Sequence, residues 1–313
     1  MERYKFIDIA KGLGIFFVVC SHVYPSLIEW ASPFVISIFF VTSGFCLTKP
    51  INLKNKSKKL LFPYFLFSVV LLIRYRHFDI LDILGVFYSR FCLYPLDGGE
   101  NVYFLQSGNG PLWFLTALFM AYLVLKGIQD NKYKLLMFIF YILITYIFCY
   151  LPYLLPWSID TCFLFATLIY SGTLIRKYDV LERFTPIKVF FLILVYLLLI
   201  MLFDEPINLS VRKFGDSFLL FIIAAILGCV LLMKLSIYIE GLVIGNIISE
   251  IGKNSLTIFS IHMPFIPLIK YILGVFPIEF TPPVEGLLVV LLIVFITYPI
   301  SVFCNKYIFN RIS

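Results

Sequence analysis

Ten apolar runs of sixteen to twenty-two residues dominate this sequence and leave little between them. They fall near residues 6–26, 33–48, 60–76, 112–127, 135–151, 159–175, 187–203, 215–233, 255–276 and 285–304. About twenty apolar residues cross the ~30 Å hydrocarbon core, and a helix satisfies its own backbone polar groups there. Composition agrees: 61% of the residues are hydrophobic, well above the roughly one half usual for soluble domains. The sequence therefore predicts an all-α, polytopic membrane protein of about ten transmembrane helices, forming one integral-membrane domain over residues 1–313. No stretch between the runs is long enough for a separate soluble domain. The first run is interrupted by Asp8 and Lys11 and has no small-residue cleavage site after it. It reads as a retained helix rather than a removed signal peptide.

Charge sets the expected orientation. With the N-terminus placed inside, nineteen of the 25 Lys and Arg residues fall in inside segments, from Arg3 to Arg311. That asymmetry predicts cytoplasmic N- and C-termini. Trp30, Trp113 and Trp157 then fall at the outer interface, where amphipathic rings settle. The net charge of +7 reads as this topology signal and not as a nucleic-acid surface. The seven cysteines form no CxxC and no Cys/His ligand spacing, so neither disulfides nor a metal site is expected.

Within the first run, DIAKGLGIFFVVCSH places Asp8, Lys11 and His22 along one side of a helix at ~100° per residue. Ionisable groups inside a membrane are costly and usually face a bundle interior or a wet cavity. Asp8 and Lys11, three apart, can also pair as a neutralised structural unit. His22 lies about 16 Å beyond Lys11 along the axis, comparable to an extended pantetheine arm. A cation at the inner mouth could hold a coenzyme A phosphate while a deeper histidine meets the thioester. Residues 49–59 (KPINLKNKSKK) read as a short basic cytoplasmic loop, either a topology signal or a phosphate patch at the cavity mouth. Residues 77–111 form the longest outer loop, with an amphipathic piece from Asp79 to Tyr94 and then a glycine-rich segment containing Gly108-Asn109-Gly110. Residues 235–252 read as an amphipathic cytoplasmic segment. Of the other histidines, His77 at the edge of the third run is left without a role. His262 in the ninth is read as pore-lining or structural rather than catalytic.

Five segments, in order, carry a family resemblance. They are Lys11-x10-His22, FFVTSGF (Phe39–Phe45), KSKKLLFPYF with Lys56 and Lys59, GPLWFL (Gly110–Leu115), and IGKNSLTIFSIHMPF (Ile251–Phe265). The sequence resembles membrane acyltransferase family 3, and within it the fucose 4-O-acetylase-like members, over nearly its whole length. The resemblance implies a bacterial inner-membrane enzyme that takes an acyl group, usually acetyl, from cytoplasmic acetyl-CoA or another acyl-CoA. It implies delivery to a hydroxyl of a cell-surface polysaccharide or its lipid-linked precursor, with membrane lipid and polysaccharide-assembly proteins as partners. The family's essential histidine corresponds to His22 and its basic partner to Lys11. A frequent arginine pair corresponds to Lys56 and Lys59, where lysine offers a point charge in place of a bidentate fork. Many relatives carry a fused soluble esterase-like domain. This sequence shows none, so it is expected to act alone or with a separate partner.

O-acylation needs a base for the acceptor hydroxyl and charge stabilisation for the oxyanion. His22 serves either as that base or as a transiently acylated relay. Asp8 sets the charge near Lys11. Ser43, beside Gly44, lines the pore opposite His22 or allows close helix packing. Trp113 is an interface anchor or a sugar-stacking platform. HxxxD, GxSxG and P-loop patterns are absent. The alternative is a polysaccharide exporter or other transporter that uses the same polar stripe as its path.

Overall fold

A computed structural model of the chain describes residues 4–76, 78–95, 101–103, 110–129, 131–275 and 281–309. Arg3, His77, Arg311 and the Gly108-Asn109 pair lie outside the described residues.

A helix or a broken helix stands at each of the ten apolar runs. The first half comprises α1 (Lys5–Val23), the short α2 (Ser32–Val35) leading into α3 (Ser37–Phe45), α4 (Leu53–Tyr75), α5 (Ile80–Tyr88), α6 (Trp113–Gly127) and α7 (Lys134–Phe148). The second half comprises α8 (Cys162–Lys177), α9 (Val180–Arg183), α10 (Pro186–Ile200), α11 (Phe218–Ile239), α12 (Val243–Lys253), α13 (Ser255–Ile261), α14 (Phe265–Gly274) and α15 (Pro282–Tyr307). Two two-residue strands, β1 (Ile207–Asn208) and β2 (Lys213–Phe214), pair antiparallel in the loop before α11.

Among the described residues, α1, α11 and α15 are long and apolar enough to cross a membrane, and the pair α13–α14, bent by 69°, makes a fourth if taken as one span. Helices α6, α7 and α10 are equally apolar but fifteen residues each. At ~1.5 Å per residue they reach about 22 Å, short of the full hydrocarbon thickness. The outer faces of α7 and α10 are apolar and exposed, as at Leu135, Leu136 and Ile139 on α7 and Ile187, Phe190 and Phe191 on α10. Such broad apolar exposure suits lipid and not water. The chain is a helical membrane protein.

The structure moves several sequence-based boundaries. Residues 49–59 are not a loop throughout: α4 begins at Leu53, and the Asn52 side chain caps it by accepting from the Asn55 N–H at 3.0 Å. Asn is a favoured cap, and the Lys and Leu residues that follow are good helix formers. The amphipathic piece of the outer loop is α5, and its apolar face points outward: Ile80, Leu84 and Phe87 are exposed while Asp82 and Gly85 are buried. Trp113 packs inside the bundle. It is only 5% exposed, because the first turn of α6 rotates its ring onto Phe165 of α8, 6.0 Å away.

Helix α1 lies at the centre, packed most extensively against α12 and also against α3, α11, α13 and α15. The α1–α12 crossing is close because glycines face backbone on both sides. A Cβ on Gly12 would run into the Ile248 carbonyl, and one on Gly252 into the Asp8 carbonyl. The α3–α8 crossing repeats the device, with Gly44 on the Ile169 carbonyl and Gly172 on that of Val41. Small residues let helices pack by van der Waals contact where the hydrophobic effect gives no drive between them.

At the end of the bundle remote from Lys11, a buried ionic cluster ties the loops together. Asp160 accepts from Arg90, and its second oxygen accepts from Arg212 at 3.0 Å and the Leu155 N–H at 3.2 Å. Arg90 also donates to the carbonyls of Leu155 and Ser210, and Arg212 to those of Tyr153 and Leu151. Three loop segments far apart in sequence are thereby held on one carboxylate.

Candidate active site

A cavity of about 510 Å³ opens between α1, α3, α4, α6 and the α12–α13 junction. Asp8 and Lys11 line it from α1, one turn apart, with Ser43 from α3, Lys59 from α4, and Lys253 and Ser255 from the junction. The glycine crossing explains the arrangement: with Gly252 seated on the Asp8 carbonyl, the next residue, Lys253, is brought alongside α1. Lys253 Nζ is 2.5 Å from Glu250 Oε1, and both side chains are partly exposed.

Lys54, Lys56, Lys58 and Lys59 occupy the first two turns of α4. The positive end of the helix macrodipole is there, so cations are disfavoured unless an anion joins them. A helix N-terminus carrying lysines is conversely a ready anion site. Lys56 does not line the cavity; its Nζ lies over the Tyr122 ring at 3.7 Å.

Three phenylalanines form an apolar floor to the cavity. Phe39, Phe114 and Phe259 line it, with ring centroids 4.9 Å apart for Phe114–Phe259, 5.7 Å for Phe39–Phe114 and 6.2 Å for Phe39–Phe259. Beyond them lies a histidine pair. The Phe259 ring is 6.1 Å from that of His262, and the His262 ring is 5.3 Å from that of His22, tilted by 35°. His22 sits in the last turn of α1 and is exposed, whereas His262 is fully buried. His262 caps α13 at the 69° break before α14, where Pro264 follows it. Its Nδ1 is 2.8 Å from the Phe259 carbonyl, and its Nε2 has no hydrogen-bond partner among the described residues.

The structure thus splits the residues singled out from sequence into two groups. Asp8, Lys11, Lys59 and Ser43 share the cavity. His22 and His262 stand together beyond its phenylalanine floor, so Ser43 lines the same space as Lys11 and not one shared with His22. Lys56 and Trp113 line neither. Lys253 was missed as a cavity residue although it lies in the IGKNSL segment. The signal was the adjacent glycine, which marks close backbone approach. Arrayed this way, the cations can hold a multiply charged anion, and the imidazole pair can move a proton at a site the cations do not reach.

A family model described as an acyltransferase domain, that of membrane acyltransferase family 3, matches residues 4–304. The chain belongs to this family. The matched region contains both the lysine-lined cavity and the histidine pair. No curated protein and no solved structure matches the chain significantly.

Proposed function

We propose that this membrane acyltransferase is an O-acyltransferase that uses acetyl-CoA and delivers acetyl to a hydroxyl of a cell-surface polysaccharide or its lipid-linked precursor. One observation carries the reading: a cavity bearing three lysines, Lys11, Lys59 and Lys253, abuts a phenylalanine floor with an imidazole pair behind it. The volume is within the range of small-molecule sites, roughly 300–1,000 Å³. Acyl-CoA is a long molecule with phosphates at one end and a thioester at the other. Lys11 and Lys59 hold its phosphates, and the pantetheine arm follows α1 for the ~16 Å from Lys11 to His22. Asp8 limits the net charge of the cavity. His22 acts as the base. It takes the proton of the acceptor hydroxyl as that oxygen bonds to the thioester carbon. When the carbon–sulfur bond breaks, the proton passes to the departing sulfur, giving ester and free thiol. The exposed side of His22 is where the acceptor meets it.

In this reading the chain spans a bacterial inner membrane with ten helical segments and both termini in the cytoplasm, which puts the lysine cavity on the acyl-CoA side. The test uses purified protein in lipid vesicles supplied with acetyl-CoA and a bacterial glycan extract. Thiol release with matching glycan O-acetylation by mass spectrometry supports the reading. The α13–α14 break favours a second reading, since transporters form midplane sites from discontinuous helices. An exporter moves glycan across the vesicle membrane without releasing thiol.

A further inference from the structure

His262 is unlike a packing histidine in an apolar core. Its Nδ1 faces the Phe259 carbonyl at 2.8 Å, and a carbonyl can only accept, so Nδ1 carries the hydrogen. In the neutral ring Nε2 is then a bare lone pair. That atom is fully buried and has no partner among the described residues. Leaving a buried acceptor unpaired is costly, so a residue chosen only for packing would not keep it. The neighbouring ring is His22, with centroids 5.3 Å apart. The two rings are not hydrogen-bonded in this structure, but at this separation a turn of the rings brings a His22 N–H to about 3 Å from Nε2. The 69° break after α13 frees the chain at His262 from helical continuation and lets the ring lie against α1.

We propose that His262 is the positioning residue of His22: with the His22 ring turned toward it, its Nε2 accepts the N–H of one His22 nitrogen and so leaves the other His22 nitrogen unprotonated for the acceptor hydroxyl. This rests on the reading of His22 as the base. Proton counting closes. The hydroxyl proton moves to the free nitrogen of His22, the N–H shared with His262 stays on His22, and His262 remains neutral with its own hydrogen on Nδ1. The proton on His22 then leaves with the thiolate. The logic is that of a base held in one tautomer by a third group, with an imidazole lone pair in the place more often taken by a carboxylate.

The experiment compares wild type, His22→Ala, His262→Leu and His262→Gln in vesicles, following thiol release against acetyl-CoA concentration. His262→Leu is expected to lower kcat by roughly 100-fold with KM for acetyl-CoA nearly unchanged. His262→Gln, whose Oε1 takes the place of Nε2, is expected to recover much of that loss. The double variant His22→Ala/His262→Leu is expected to be no worse than His22→Ala, because residues acting as a unit are not additive. A wild-type kcat in His262→Leu overturns the proposal, as does Gln no better than Leu in protein that elutes as folded. Nitrogen NMR on 15N-histidine-labelled protein reads the same arrangement without turnover, with resonances assigned from the His22→Ala, His77→Gln and His262→Leu variants. One His22 tautomer in wild type and a mixture in His262→Leu supports the proposal even where no acceptor is turned over. Unchanged His22 resonances in the variant overturn it. An inert wild type with the expected resonances places the failure in the acyl-transfer reading alone.

Discussion

The ring of His22 stands 5.3 Å from that of His262, whereas Lys11, on the same helix as His22, opens onto a cavity that His22 does not line. The lysine-lined cavity and the histidine pair are therefore distinct parts of one bundle, joined through Phe259, which lines the cavity and stands 6.1 Å from the His262 ring. That separation matches the proposed donor, with phosphates at one end and a thioester at the other.

On the proposed donor path, the phenylalanine floor selects among acyl donors. Phe259→Leu keeps an apolar floor with less reach and so widens the passage to the histidine pair. The expected result is a several-fold gain in kcat/KM for butyryl-CoA relative to acetyl-CoA, since a methylene in such a pocket is worth about 1–3 kcal/mol. Competition between the two donors, with products counted by mass spectrometry, measures the ratio directly. An unchanged ratio removes the floor from the donor path.

Charge removal separates the lysines. Lys11→Ala, Lys59→Ala and Lys253→Ala are each expected to raise KM for acetyl-CoA by about tenfold, equivalent to ~1.4 kcal/mol, with a smaller effect on kcat. Lys56→Ala, whose ammonium lies over Tyr122 outside the cavity, is expected to change KM less than twofold. Initial rates over a range of donor concentrations decide this. Equal effects at Lys56 and Lys59 contradict the assignment.

The central crossing tolerates no side chain. Gly252→Ala puts a Cβ against the Asp8 carbonyl and the Gly12 amide nitrogen. Overpacking of this kind costs about 1–3 kcal/mol and pushes Lys253 away from α1. A lower Tm in detergent and a raised KM for acetyl-CoA are expected together. Gly127→Ala, in open space at the end of α6, is the control and is expected to hold or slightly raise Tm.

At the opposite end, Asp160→Asn leaves Arg90 and Arg212 buried and facing each other without the carboxylate. Removing one partner of a buried ion pair costs about 3–5 kcal/mol. Thermal unfolding in detergent is expected to show a large drop in Tm. A wild-type Tm shows that the cluster does not hold the loops.

Helical periodicity made the fold readable, and it also put Asp8, Lys11 and His22 on one side of α1. It could not say that they would divide between two parts of the bundle, because depth along the axis depends on how α3, α6 and α13 lean in to place Phe39, Phe114 and Phe259. Trp113 shows the same limit: in a uniformly apolar helix no pattern reveals which face turns inward. Asp160 gave no local signal at all, since its partners Arg90 and Arg212 are 70 and 52 residues away. Lys56 and Lys59 looked equivalent as a motif. They differ in where their long side chains end: Lys56 Nζ lies over Tyr122, whereas Lys59, about one turn further along α4, lines the cavity.

The most direct measurement is acetyl-CoA thiol release coupled to glycan O-acetylation in vesicles containing wild type or His22→Ala. His22 is exposed at the end of α1, so its truncation leaves no large core void and the variant is expected to keep the wild-type Tm and acetyl-CoA affinity. The account predicts that both products fall by at least roughly 100-fold while donor binding persists. Normal acetylation by His22→Ala would contradict it and remove His22 from the chemistry.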